Sequence, residues 1–238
     1  MNKNKQWITS DDHFNHGNIM KYCSRVKFMT DKDLEIFMNL KDSNDFRYKS
    51  FKLSKESIGN MNEALIKNIN DLVNEEDTLW HLGDFAFVNS YKQAMDIRKR
   101  INCKDIRFIW GNHDSRPKLN PQDGNDPIFS KFYDSTVVFQ TPEGTYDYEE
   151  VSYNRDIKHY IGKLKRNQYT TWYFNHYFNA IWYDSHKNCM HCFGHSHGVA
   201  NKWKEDYMPN AKCCDVGVDC WDYKPILLDD LSEFLNNL

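Results

Sequence analysis

Apolar and polar positions along this chain repeat with two periods, one of two residues and one of 3.6, and the two alternate. Residues 6–10 (QWITS) read as a short strand. Over 60–75 the apolar positions Met61, Leu65, Ile66, Ile69, Leu72 and Val73 recur at helical spacing, which predicts an amphipathic helix. A strand is expected at 78–82, a helix at 91–101 with Ala94, Ile97 and Ile101 on one face, and a largely apolar strand at 106–110. Strand, helix, strand in that order predicts an α/β protein. Further strands are expected at 136–140, 149–153, 170–174, 188–193, 212–216 and 225–228. Several follow one another without helices, so a second and more antiparallel sheet is expected, with a short helix at 231–235.

Two stretches break the rhythm. Residues 24–57 are polar and charged, though Thr30-Asp31-Lys32-Asp33 marks a helix start ahead of Leu34, Phe37 and Met38. Residues 115–127 are rich in Pro, Asn, Asp and Gly and read as a loop. The expectation is one domain over 1–238 with a polar insertion at about 24–57.

A length of 238 residues suffices for one large core. The net charge of −3 gives no global attraction to nucleic acid or anionic lipid, so a polyanion would be recognised by local basic patches or by bound metal. Arg155, Lys158, Lys163, Lys165 and Arg166 form one basic stretch and Arg47 to Lys55 another; a solvated charged face is the simpler reading of both. No apolar run approaches the ~20 residues of a membrane span and no signal-peptide core follows Met1, which predicts a cytoplasmic protein without a membrane partner. The seven scattered cysteines fit reduced thiols. Cys189-Met190-His191-Cys192 has a zinc-binding form, but no second such pair accompanies it, which favours buried strand thiols.

The candidate chemistry lies in five short motifs, nearly all just after a predicted strand: Asp11-Asp12-His13, Gly83-Asp84, Gly111-Asn112-His113-Asp114, His176, and Gly194-His195-Ser196-His197. Their seven oxygen and nitrogen donors, Asp11, His13, Asp84, Asn112, His176, His195 and His197, exceed what one tetrahedral or octahedral ion can use. Two divalent cations are therefore expected. His195 and His197 stand two residues apart, so an extended backbone would send both rings to one face.

In type and order these motifs resemble the calcineurin-like metallophosphoesterase superfamily, closest to the compact bacterial and phage type with D-x-H-F-x-H near the start, here Asp11 to His16. The resemblance implies a four-layer α/β/β/α sandwich of two mixed sheets flanked by helices. It implies that Asp11, His13, Asp84 and His197 hold one cation and Asp84, Asn112, His176 and His195 the other. Asp84 would bridge them, a role suited to a carboxylate because it brings two oxygens and a negative charge between cations ~3.5–4 Å apart. Mn²⁺ is the first expectation, with Fe²⁺, Zn²⁺ and Ni²⁺ equally suited to the donors.

The same resemblance makes His113 the general acid for the leaving group, with Asp114 holding its imidazole, while a hydroxide between the cations attacks phosphorus in line. It implies hydrolysis of a phosphodiester or phosphomonoester, a nucleotide or other phosphorylated small molecule first. Aromatic residues around His176 suit a stacked base, and His16, Tyr177 and Trp182 are the expected substrate contacts. A nuclease acting on single-stranded oligonucleotides is the alternative among enzymes, and a noncatalytic metal-binding interaction module the alternative outside them. Asn15 stands where relatives often have Gly, and Asp215 where many have Asn. Phe85-Ala86-Phe87 replaces the region that reads D-R-G in Ser/Thr protein phosphatases, which disfavours that activity.

Overall fold

A computed structural model describes residues 4–43, 46–120, 127–142, 149–152 and 169–238. The chain runs β1 (Gln6–Thr9), α1 (Gly17–Tyr22), α2 (Asp31–Asp42), α3 (Lys55–Leu72), β2 (Thr78–His81), α4 (Tyr91–Arg98), β3 (Asp105–Ile109), α5 (Arg116–Leu119), β4 (Lys131–Tyr133) and β5 (Thr136–Pro142). It continues through β6 (Glu149–Ser152), β7 (Tyr169–Asn175), β8 (Met190–Phe193), α6 (Val199–Tyr207), β9 (Cys213–Asp215), β10 (Ile226–Leu227) and α7 (Leu228–Asn236). The result is a mixed α/β fold with two mixed sheets.

The first sheet has the order β10-β1-β2-β3-β4, with β1 to β4 parallel and β10 antiparallel at the edge. Its central strands are apolar at successive positions because alternate side chains enter different cores. Trp7, Leu79, Ile106 and Phe108 join a cluster with the helices, including Met61, Leu65 and Ile69 of α3 and Ala94 and Ile97 of α4. Ile8, Trp80 and Ile109 join a second cluster, to which β5, β7 and β8 contribute Val137, Phe139, Trp172, Phe174, Met190 and Cys192.

The second sheet, ordered β6-β5-β7-β8-β9, starts antiparallel and turns parallel across β7, β8 and β9. Two of its four strand pairings are antiparallel against one of four in the first sheet, so the second sheet is the more antiparallel, as expected. Its far side carries a third cluster of Trp182, Cys189, Phe193 and Cys213. All seven cysteines are free. Burial pushes the Cys189 and Cys213 thiols up to about 12 and Cys192 well above its usual value, and no ligand-spaced group among the described residues includes these three. Cys192 and Cys213 are buried strand thiols, and Cys189 is buried just ahead of β8.

Caps set the helix boundaries. Thr30 accepts from the Asp33 N–H at the head of α2, as its sequence predicts, and Ser54 accepts from the Ser57 N–H, starting α3 five residues before the apolar stripe begins. The Asp33 carboxylate fastens the two helices together, accepting from Ser54 N at 2.8 Å, Ser54 Oγ at 2.6 Å and Ser57 Oγ at 2.5 Å. The polar stretch 24–57 is built into the core, since Arg25, Met29 and Phe37 are buried. The expected loop 115–127 contains α5, with Pro117 in its first turn; 121–126 fall outside the described residues, as does the basic stretch Arg155 to Arg166. No helix among the described residues is long and apolar enough to cross a membrane.

Candidate metal centre

Parallel strands deliver their carboxyl ends to one place, and the motif residues leave the sheets there. Asp11 and His13 follow β1, Asp84 follows β2, Asn112 follows β3, His176 follows β7, and His195 and His197 follow β8. Backbone bonds lock these turns together: Asp11 N to Gly83 O, His13 N to Asp84 O and Gly194 N to His176 O, each 3.0 Å. The two sheets meet where Ser10 bridges to Gly217 and where the His195 N–H donates to Asp11 Oδ2 at 2.9 Å.

Five of the seven expected ligands have left-handed backbones: Asp11 (φ 60°), His13 (51°), Asp84 (57°), His195 (66°) and His197 (47°). Each such non-glycine residue costs roughly 1–2 kcal/mol, a strain that clusters at functional sites. Glycine is required at two neighbouring positions. A Cβ on Gly111 would strike the Asp84 carboxylate and backbone nitrogen, and one on Gly194 would strike the Ser10 hydroxyl and the Asp11 carboxylate.

The donors fall into two groups, Asp11 with His13 and His197, and Asp84 with His176 and His195; within each, the ligand atoms lie within 4.8 Å of one another. Asp84 Oδ2 stands between the groups, 3.6 Å from His13 Nε2 and 3.6 Å from His176 Nε2. Asp11 Oδ1 is 3.7 Å from His13 Nε2, and Asn112 Oδ1 is 3.0 Å from His176 Nε2. Two donors held ~2.1 Å from one ion at the tetrahedral angle lie ~3.4 Å apart, so this spacing fits a shared cation. The buried Asp11 Oδ1, His13 Nδ1 and His13 Nε2 have no hydrogen-bond partner. Polar atoms buried without partners are rare, and two of these, Asp11 Oδ1 and His13 Nε2, face each other at 3.7 Å.

Outer partners aim the rings. His176 Nδ1 lies 2.6 Å from Leu82 O, which leaves Nε2 for the centre, and His197 Nδ1 lies 2.7 Å from Asp219 Oδ2. Burial alone would lower the His197 imidazole, but Asp219, Cys23 and Asp11 together outweigh it and raise the ring to about 10. Burial alone would raise the Asp11 carboxyl, but His13, His176 and His197 hold it well below the usual carboxylate range. The Asp12 side chain turns away into the core, where its Oδ2 meets His81 Nε2 at 3.1 Å.

Sequence reasoning missed Arg25 and Asp219 in this support, and marked Asp215 only as a departure from its relatives. Arg25 is fully buried; it donates from Nε and Nη2 to the two oxygens of Asp219, each at 2.8 Å, and to the carbonyls of Asp11 and Asp12, also at 2.8 Å. Asp215 accepts from Ser196 Oγ at 2.6 Å and from the Gly198 and Gly217 N–H groups, so it shapes the loop that carries His195 and His197. The only advance signal was the carboxylate pair in Asp215-Val216-Gly217-Val218-Asp219.

The expected partnership of Asp114 with the His113 imidazole is corrected. Asp114 accepts from the backbone N–H groups of Asp84 (2.8 Å), Gly111 (2.8 Å) and Phe85 (3.0 Å), because the turn surrounds its carboxylate with unpaired donors. Burial and the neighbouring Asp84 raise its pKa. His113 is exposed beside the centre, its ring 5.5 Å from that of His13 and 5.0 Å from that of Phe87. His16 stacks on Phe87 at 3.6 Å and lies 5.4 Å from His13; burial and the adjacent His13 and His113 push it down to about 3. Tyr177, 46% exposed, sets its ring 5.0 Å from His176 and 4.8 Å from His195. Trp182, expected to meet substrate, is instead buried in the third cluster and donates from Nε1 to Cys189 O at 2.8 Å.

No family model matches the chain. It is 34% identical over 115 residues to the uncharacterized protein MJ1445 of Methanocaldococcus jannaschii, a match covering 48% of this chain and 49% of that protein. The chain thus spans about half the length of the curated relative it matches. The crystal structure of the protein of unknown function AQ665 from Aquifex aeolicus superposes with a TM-score of 0.56 at 20% identity, covering 98% of this chain and 100% of that one. That likeness is one of fold alone.

Proposed function

We propose that this chain is a dinuclear metal-dependent phosphoric ester hydrolase, built as a four-layer α/β/β/α sandwich and holding its cations between the two strand-end groups. The observation that carries the reading is Asp84, whose Oδ2 stands 3.6 Å from a histidine of each donor group. The cluster shared by both sheets, with helices packed on the far side of the first, supports the layered arrangement.

Asp11, His13, Asp84 and His197 would hold one ion, and Asp84, Asn112, His176 and His195 the other. Bound there, two divalent ions would acidify a water as nucleophile and offset the charge of the ester oxygens. The protein's own part is to hold the donors rigid and to manage the proton. Leu82 O and the Asp219 carboxylate fix the His176 and His197 rings, and Arg25 keeps Asp219 in place. His113, exposed next to His13, is positioned to protonate a departing ester oxygen. Its backbone N–H donates to Asp84 Oδ1 at 2.8 Å, which ties the acid to the shared carboxylate.

The test is elemental analysis of the full chain after loading with Mn²⁺, followed by a panel of phosphomonoesters and phosphodiesters from methyl and aryl esters to nucleotides and oligonucleotides. Two ions per chain with turnover of at least one ester is expected. Failure to retain two ions overturns the reading; two ions without turnover of any ester makes the chain an interaction module instead.

A further inference from the structure

Beside the proposed centre lies a cleft of about 520 Å³, within the ~300–1,000 Å³ usual for small-molecule sites. It shares a wall with the centre, because Phe87 lines it while stacking on His16 and standing 5.0 Å from His113. Four of the other lining residues carry carboxamides: Asn15, Asn62, Asn89 and Gln93. The lining carries one acid, Asp96, and one cation, Arg100, so its formal charge is zero, and Arg100 also pairs with Glu63 outside it.

Asn15 gives the cleft its origin in sequence. It has a left-handed φ of 64°, a conformation for which glycine is the default and asparagine a tolerated substitute. The asparagine adds a side chain that glycine lacks. Its Oδ1 accepts from Asn62 Nδ2 at 2.7 Å, while Asn62 Oδ1 accepts from the Asn15 backbone N–H at 3.0 Å. That reciprocal pair joins the loop of Asp11, His13 and His16 to α3 and forms one side of the cleft. On the other side Gln93 Oε1 accepts from the Asn89 N–H at 2.8 Å.

We infer that this cleft binds a nucleobase, so that the substrate of the proposed centre is a mononucleoside phosphate ester whose nucleoside lies against Phe87. The Asn89 carboxamide and the amide nitrogens of Asn15 and Gln93, outside the bonds just described, offer donors and an acceptor that match base edges, and the 37% exposed Phe87 ring offers its face away from His16 for stacking. A neutral lining suits a neutral heterocycle. A single strand would call for cations along successive phosphates, whereas among the described residues Arg100, already paired, is the one cation lining this cleft. The nucleoside side also faces His113, where a leaving oxygen would take its proton. The ester specificity rests on the phosphoesterase reading; the binding of a base does not.

The test is therefore made with unphosphorylated nucleosides and without metal. Isotope-labelled full chain is titrated with adenosine, guanosine, cytidine and uridine, with ribose and a single-stranded oligonucleotide as comparisons, and observed by NMR. At least one nucleoside is expected to shift the side-chain amide signals of Asn89 and Gln93 and the backbone amides of 87–93. The Asn89→Ala/Gln93→Ala double variant, checked as folded by its own spectrum, is expected to bind about tenfold more weakly. Absence of nucleoside-induced shifts there, equal shifts with ribose, or tighter and salt-dependent binding of the oligonucleotide overturns the inference. A chain that hydrolyses aryl esters but binds no nucleoside keeps the catalytic reading and loses the cleft. One that binds a nucleoside and hydrolyses nothing does the reverse.

Discussion

Asp84, beside His13 and His176, and Asp219, beside His197, are both acidic residues at the centre, yet their loss should differ in kind. Asp84→Asn removes the one charge between the two donor groups, while Asp219→Asn removes only the partner that aims His197. Loss of an outer partner costs ~10–100-fold in metal affinity, so Asp219→Asn should fall in that range and Asp84→Asn well beyond it. Metal titration with a competing chelator measures both; equal affinities would remove Asp84 from the bridging position. His113→Ala should retain both ions and slow turnover by ~10²–10⁴-fold for alkyl esters, with a smaller loss for p-nitrophenyl esters, whose leaving oxygen needs no proton. A uniform loss across leaving groups, read from initial rates, would end the acid assignment. The residues that the structure brings together at the strand ends were legible because each sits just past a strand. Arg25 was not, since its contact with Asp219 joins residues 194 apart and no local pattern records it. Asp114 misled because the family resemblance implied a bond to the His113 ring, whereas the turn offered its carboxylate three N–H groups.

Among elements, those with a buried apolar stripe were legible and those without one were not. The stripe of α3 and the two-sided strands β2 and β3 declare themselves in sequence, while the apolar positions of α6, Val199, Trp203 and Tyr207, recur at helical spacing but face solvent, so its stripe marks no core. The stretch 24–57 reads as an insertion by composition, yet Asp33 makes it part of the core by holding the N-terminus of α3. Burial pushes the Asp33 carboxyl up, and the hydrogen bonds from Ser54 and Ser57 outweigh it, leaving the folded-state pKa below the usual carboxylate value. Its stabilisation is therefore complete above the unfolded value of ~4 and is lost as pH falls through the lower folded value. Asp33→Asn should cost about 1.5–3 kcal/mol in urea denaturation at pH 7, and the gap from the parent chain should shrink at pH 3. A gap independent of pH would mean that the hydrogen bonds act without the charge.

For the whole molecule, the sheets close on a point crowded with acid. Asp11, Asp12, Asp84 and Asp215 are all buried around the ends of β1, β2 and β9, with Arg25 the buried guanidinium among them. Cations at the centre would relieve that crowding and bind the folded chain alone. Removing them with chelator should lower the melting temperature by about 5–10 °C at metal concentrations near 100 Kd, and Mn²⁺ should restore it. A melting curve indifferent to chelator would show that the donors are content empty-handed. The hydrogen bond from the His195 N–H to Asp11 Oδ2, which spans 184 residues, has a consequence in time. A ribosome lays down β1, β2 and β3 long before His195 and His197 emerge, so a half-made chain owns only part of either donor group. Nascent chains arrested at residue 120 should release Mn²⁺ on dilution while the finished chain keeps it, making metal capture a closing event of biosynthesis.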